Sequence, residues 1–327
     1  MDVRLLGAGA IESHPVEDLK ALLAKDDALV WVDIPAPDEE AARVLTEVFN
    51  FHPLAVRDAV ERNRVPKVHV YADHLFVVLH APELGQAGHV HYVELDQFIG
   101  PNYLVTVHGP INPAVDPDKA LRDTNAVLRR IESGRAKPSS PFELSYGIVS
   151  ALARHQESFV EMMTTQVWQL EQRVTAGHLG DPEEFLDELF RARHGLLAVR
   201  TISASSSAIY GRLATLGRVV PANEKHLISD IVDQFDRVRS VADSERQYLQ
   251  GVIEFYKTRT ETKMTIAAER LAVIAAVTLP ITALSSVLGM NLIVNDRTHW
   301  VGLIIVLAVM IAMSAWLLRW TKRQGWW

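Results

Sequence analysis

The 327-residue chain has no cysteine, so disulfides, a thiolate metal centre and a cysteine nucleophile are all excluded. It also lacks a phosphate-binding glycine loop, a Gly-x-Ser-x-Gly elbow and a His-Glu-x-x-His motif. No catalytic constellation is visible, so neither an enzyme nor an ATP-driven pump is expected. A basic surplus is missing too. The formal charge is −7, and the clustered Lys and Arg that nucleic-acid phosphates require are absent. The N-terminus, Met1-Asp2-Val3-Arg4, has no basic stretch leading into an apolar core, so no cleaved signal peptide is expected.

Charge is also nearly missing from one end of the chain. Beyond Arg270 only Asp296, Arg297, Arg319, Lys322 and Arg323 carry it. Four of the 33 basic and one of the 40 acidic residues therefore lie there, which leaves 29 and 39 before that point and a formal charge of −10. An acidic water-soluble part is joined to an apolar tail, a balance that suits cation attraction.

Within that tail, Leu271 to Asn295 is an uncharged run of 25 residues. As a helix it reaches roughly 37 Å, more than the ~30 Å hydrocarbon core of a bilayer. Trp300 to Leu318 is a second uncharged run, of 19 residues. The short polar stretch Asn295 to His299 between them permits only a tight hairpin. Trp300, Trp316, Trp320, Trp326 and Trp327 fall near the ends of the runs, where interfacial anchors belong. Lys257, Arg259, Lys263 and Arg270 precede the first run, and Arg319, Lys322 and Arg323 follow the second. The positive-inside rule then places both termini in the cytoplasm. A helical hairpin buried in a soluble protein is the competing reading.

The region up to about residue 125 reads as mixed α/β. Strands are expected over 28–34, 74–80, 89–99 and 103–108, the last two separated by Gly100-Pro101-Asn102, and helices over 37–51 and 53–62. After Pro138-Ser-Ser-Pro141 long helices are expected. The first covers 142–176 and ends at Gly177; the second starts at Asp181-Pro182 and stops near Gly217. A third starts near Ala222 and runs about 70 residues into the first apolar run, roughly 105 Å. A helix that long needs partner helices. Two spans per chain are also too few to enclose a pore, so transport implies a symmetric oligomer.

Along the first apolar run, Leu271, Ala275, Leu279, Thr282, Ser286 and Gly289 recur at steps of three or four and share one helical face. Such a face suits close helix packing or a pore lining. Pro280 interrupts the run and needs neighbouring groups to satisfy the carbonyl it frees. His89 and His91 share a strand face, with His80 on an earlier strand. They read either as a zinc site or, lacking a third placed ligand, as a solvated strand face.

The run ends in Gly289-Met290-Asn291. Together with the single hairpin, the basic tail and the very long preceding helix, this resembles the CorA-type divalent cation channels, the two-span Gly-Met-Asn family. Phe51-His-Pro-Leu-Ala-Val-Arg-Asp58, followed by Arg64-Val-Pro-Lys-Val68, is similar to that family's helix-and-turn segment.

The resemblance implies a funnel-shaped homopentamer in the plasma membrane, made of a cytoplasmic α/β domain (1–140), a long-helix stalk (141–269), a pore helix (270–295), an outer loop (296–299) and a second span with a basic tail (300–327). It implies gated passive entry of Mg2+, with Co2+ or Ni2+ as surrogates. Gly289, Met290 and Asn291 would form the selectivity filter. Leu271, Ala275, Leu279, Thr282 and Ser286 would line the pore, the leucines as apolar constrictions and the hydroxyls as oxygens for a hydrated ion. It further implies a regulatory inter-subunit metal held by Asp58 and Asp230, with Asp233 and Asp236 adding negative potential nearby. Membrane lipid is an expected partner; ATP and nucleic acid are not. Two departures stand out: the outer loop Leu292-Ile-Val-Asn-Asp-Arg-Thr-His299 balances one acid against one base, and Arg57 replaces a second acid beside Asp58. A zinc transporter of the same architecture, proton-coupled or not, and a membrane-anchored scaffold or sensor are the alternatives.

Overall fold

The structure is a computed structural model that describes residues 1–7, 11–25, 28–85, 88–177, 180–216, 220–292 and 300–323, with only the backbone of 288–292 and 303. The chain divides into two compact units, Met1–Val252 and Ile253–Trp327.

The first unit is built on a seven-stranded mixed sheet. Its strands are β1 (Asp2–Leu6), β2 (Ile11–His14), β3 (Leu29–Ile34), β4 (Lys67–Val70), β5 (Leu75–Leu84), β6 (Val90–Ile99) and β7 (Tyr103–His108), in the order β2-β1-β3-β7-β6-β5-β4. Among the described residues only β3 and β7 pair in parallel, Val30 opposite Tyr103 through Ile34 opposite Val107. All six β3 residues are buried, so the strand reads as a nearly continuous apolar run, as expected of a central strand covered on both faces.

One face carries Val30, Val32, Phe76, Val78, Phe98 and Val105. It packs under α1 (Leu19–Leu23), α2 (Glu39–Glu47) and α3 (Pro53–Val60). Asp38 caps α2 by accepting from Ala41 N–H at 2.7 Å, and the His52 ring nitrogen accepts from Leu54 N–H at 3.2 Å at the start of α3. The other face, with Trp31, Val77, Leu79 and Leu104, is covered by α5 (Arg122–Glu132), α6 (Pro141–Ala176), α7 (Pro182–Thr215) and the start of α8 (Lys225–Leu292). A short helix, α4 (Pro117–Ala120), precedes α5.

The α6–α7 turn follows local chemistry. Gly177 adopts φ 77°, a left-handed conformation that a side chain would strain, and its N–H reaches Arg173 O at 3.0 Å. Asp181 then caps α7, accepting from Glu183 N–H at 2.8 Å, with Pro182 in the first turn. The expected ends of both helices fall where these residues sit. Helix α8 runs unbroken for 68 residues. Ile228, Ile231, Phe235, Val238, Ala242, Leu249 and Val252 form its buried seam at steps of three, four or seven.

Strand β5 extends four residues past the expected 74–80, because Ala81–Leu84 stay paired with β6. Strands β1, β2 and β4 and helices α1, α4 and α5 add to the expected elements.

Polar groups pin the layers together. Trp31 donates its indole N–H to Thr106 Oγ1 at 3.0 Å, and Thr106 in turn donates to Asp33 at 2.5 Å. His108 Nε2 donates to the same Asp33 oxygen at 2.9 Å. Burial alone would raise the Asp33 carboxyl, but His108, Thr106 and Arg4 hold it below the ordinary range.

Between β5 and α6, buried His155 lies 3.0 Å from Glu83 Oε1 through Nε2 and 3.3 Å from Asp123 Oδ2 through Nδ1. Burial works against its charge, yet the two carboxylates win and raise its pKa to about 9. Burial likewise works against Glu83, while His155 and Lys119 draw it down to about 2.

The sign of the pH dependence follows. His155 is raised from 6.5 to about 9, so its stabilisation is complete below pH 6.5 and drains away as pH rises to about 9. Glu83 is depressed from 4.5 to about 2, so its share is present above pH 4.5 and is lost towards pH 2. At ~1.4 kcal/mol per unit the pair accounts for on the order of 3 kcal/mol, counted once. The thermal midpoint of the full-length protein in detergent is therefore expected to fall by several degrees between pH 6.5 and 9. In His155→Gln that slope should flatten and the midpoint at pH 6.5 should drop.

Candidate functional site

The second unit holds the end of α8 and the last helix, α9 (Trp300–Arg323). Both are long and apolar enough to cross a membrane, with mean hydropathy 1.7 in the richest stretch of α8 and 2.7 in α9. Their large side chains face outward: Leu271 is 67% exposed, Leu279 66%, Val287 64% and Ile311 67%. A soluble helix of this composition would hide those groups, so lipid or neighbouring helices must cover them. Val273 and Thr321 are the buried exceptions in this unit among the described residues.

At 100° per residue, Leu271, Ala275, Leu279, Thr282 and Ser286 fall within an arc of about 80° on α8. Ala275 is half-buried and the other four are exposed. The Thr282 hydroxyl donates to Thr278 O at 2.8 Å, and Thr278 donates to Ile274 O at 2.8 Å. With their protons committed to the backbone, these oxygens present only lone pairs outward, the polarity a cation or its water shell requires. Pro280 sits inside the helix and has no N–H for Ala276 O, which opens one carbonyl on the same segment. Gly289, Met290 and Asn291 lie within the last turns of α8, and their side chains lie outside the described residues. The outer loop, with Asp296, Arg297 and His299, lies outside them as well, as do Trp326 and Trp327.

The two candidate regulatory carboxylates are both in the first unit, where each has its own partner. Asp58, on α3, takes the Lys67 ammonium at 2.6 Å. Asp230, on α8, accepts from Tyr146 Oη at 2.7 Å and from Gln234 Nε2 at 2.6 Å. That bond to Asp230 is the largest influence raising the Tyr146 phenol. Within one chain Asp58 and Asp230 do not touch. Asp236 accepts from Ser207 Oγ at 2.9 Å and pairs with Arg239 at 3.2 Å, while Asp233 is exposed.

Asp230 also borders a cavity of about 650 Å³ between α5, α6 and α8. Leu144 and Val238 belong to its apolar lining, and Arg130, Lys137, Arg154 and Arg237 are its cations. Reasoning from the sequence missed Lys67, Tyr146 and Gln234, because nothing local marks a partner that the fold brings from another element.

The histidines do not assemble. His80 is buried with Nε2 3.0 Å from Asn63 O, and the His91 ring lies over Gly85. No group of three or more His, Asp or Glu side chains able to hold a metal occurs among the described residues. Below α3, Asp96 is fully buried beside Glu94, and burial followed by that neighbouring charge raises its carboxyl well above the ordinary range. Glu94 accepts from both the backbone N–H and the side chain of Asn63, at 2.8 and 2.5 Å.

A helix-covered mixed sheet, a helix continuing from it into one apolar segment, and a second apolar helix after it define a two-span membrane protein with a large water-soluble domain. The profile of the CorA-like Mg2+ transporter protein family matches residues 26–323. The chain belongs to that family, whose members are divalent metal ion transporters.

YfjQ of Bacillus subtilis, a metal ion transporter by designation, is 27% identical across 97% of this chain and 94% of its own. The cobalt/magnesium transport protein CorA of Thermotoga maritima is 22% identical across 90% and 83%. The complete structure of the CorA magnesium transporter from Methanocaldococcus jannaschii superposes with a TM-score of 0.81 over 100% of this chain and 99% of that one. At 14% identity it bears on the fold alone.

Replacing Pro280 with Ala would return a hydrogen bond to Ala276 O. Amide exchange across 276–284 in detergent should slow, with stability rising by about 1–3 kcal/mol. Unchanged exchange would mean that another group already satisfies that carbonyl.

Proposed function

We propose that this chain forms a homopentameric, gated channel that admits Mg2+ passively, with Co2+ or Ni2+ as surrogates. The observation that carries the reading is the arc from Leu271 to Ser286 on the 68-residue helix α8, which begins in the first unit and ends in the second. Two spans cannot surround a pore, whereas five copies of α8 can bring five such arcs to one axis. Asn291 is then the outer filter, its carboxamide oxygen binding the hydration shell that Mg2+ sheds reluctantly, with Gly289 and Met290 shaping the mouth. Leu271 and Leu279 form apolar rings that close by dewetting, and Ala275, Thr282 and Ser286 line the path between and beyond them. The driving force is the electrochemical gradient, the membrane is the plasma membrane and both termini are cytoplasmic.

Asp58 and Asp230 are proposed as facing halves of a regulatory Mg2+ site between neighbouring subunits. An ion entering it has to displace the Lys67 ammonium from Asp58, and it gains Asp230 only in competition with Tyr146 and Gln234.

Uptake into liposomes loaded with a fluorescent indicator tests the pore. Wild type should pass Mg2+, and Asn291→Ala should lose it by tenfold or more at equal protein insertion. Flux of zinc without magnesium would move the chain to a zinc transporter of the same build. Absence of any divalent flux would leave a membrane-anchored scaffold.

For the regulatory site, Lys67→Met should lower the Mg2+ concentration giving half-maximal protection from limited proteolysis by several-fold. An unchanged midpoint would remove Asp58 from the site.

A further inference from the structure

The last turns of α9 carry Arg319, Lys322 and Arg323, and the helix contains no acidic residue. All three cations are exposed, and none has an ion pair or side-chain hydrogen bond among the described residues. Their neighbour Thr321 is fully buried. At 100° per residue the centre of the cationic face points about 150° away from Thr321, so the face the chain itself covers lies opposite the one bearing the charge. Trp316, 64% exposed, lies one turn nearer the apolar stretch beside the Arg323 edge of this face, and Trp320, 42% exposed, lies between Arg319 and Lys322 in the chain.

On α8 in this unit, Lys263 and Arg270 are likewise exposed and unpaired among the described residues, whereas Lys257 already pairs with Glu261 at 3.8 Å. Three uncompensated cations interleaved with two indole rings, at the end of an apolar helix and facing outward, match one chemistry. The indoles suit the glycerol-ester boundary of a bilayer, and the cations lie at the depth of its phosphates.

We propose that Arg319, Lys322 and Arg323, flanked by Trp316 and Trp320, form a binding surface for anionic phospholipid headgroups, of the phosphatidylglycerol type, in the leaflet facing the soluble domain. The proposal rests on the membrane reading of α9. Each cation near an anionic headgroup layer favours it several-fold, so the three together should enrich anionic lipid around α9 by tenfold or more at low salt. The enrichment should shrink as salt is added.

The test reconstitutes the full-length protein into phosphatidylcholine vesicles that contain, at equal mole fraction, either brominated phosphatidylglycerol or brominated phosphatidylcholine. Bromine quenches only the tryptophans it touches. Wild type should be quenched more strongly by the brominated phosphatidylglycerol. In the combined variant Arg319→Gln, Lys322→Gln, Arg323→Gln the two lipids should quench alike. Because removing charge can disturb folding or insertion, the charge-keeping variant Arg319→Lys, Arg323→Lys is the control, and it should retain the preference. Equal quenching in wild type, or a preference that survives the triple substitution, overturns the headgroup surface while leaving the spans in place. Absence of quenching by either lipid overturns the membrane reading and the proposal with it.

Discussion

One constraint organises the molecule: α8 has to remain a single hydrogen-bonded helix while its surroundings change. Over its first half it buries Ile228, Ile231, Phe235, Val238, Ala242, Leu249 and Val252 at coiled-coil spacing against its own domain. Past Val252 the seam ends, and large apolar side chains turn outward. No other backbone would survive that passage, since every amide entering hydrocarbon must be satisfied within its own segment. Pro280 breaks the rule once, deep in the apolar stretch, and thereby exposes a carbonyl where a cation path is proposed. Thr278 and Thr282, on either side, return their protons to the backbone and so strengthen the acceptor character of the same segment.

Within the soluble domain, charge is handled by enclosure. His155 between Glu83 and Asp123, and His108 against Asp33, are buried groups whose partners come from different elements. Truncating one partner of such a set leaves an uncompensated charge, a larger loss than the pair's net worth. These sets therefore fix how α5 and α6 sit on the sheet more firmly than they add to stability. The Asp96–Glu94 pair differs: two carboxyls lie side by side, and burial followed by the neighbouring Glu94 charge raises Asp96 well above the ordinary carboxylate range.

Much of the architecture was legible because its signals are local. Gly177 ends one helix and Asp181-Pro182 starts the next through backbone geometry and capping, which neighbouring residues dictate. Strand β7 was found at its full extent, because Gly100-Pro101-Asn102 punctuates an otherwise apolar stretch. Strand β4 escaped notice because it is an edge strand: His69 and Val70 are exposed, so its alternation lacks a buried half. Strand β2, Ile-Glu-Ser-His, is polar for the same reason, at the opposite edge. The apolar spans were legible from length and charge alone. What no pattern could give was the partner of a candidate carboxylate, since Tyr146 reaches Asp230 across 84 positions of sequence.

Those partners alter the physics of the proposed regulatory clamp. Two bare carboxylates meeting across a subunit boundary repel, and a divalent ion relieves the repulsion, so occupancy and closure are tightly coupled. Here Asp58 is already neutralised by Lys67, and Asp230 already accepts two hydrogen bonds beside a cavity that carries four cations against three acids. Repulsion between the empty halves is accordingly small, and a cation arriving there gains less than it would between free carboxylates. A site built this way responds at higher Mg2+ and pulls more weakly on the pore. Its set point is fixed less by the two aspartates than by Lys67, whose release is the step the ion has to drive.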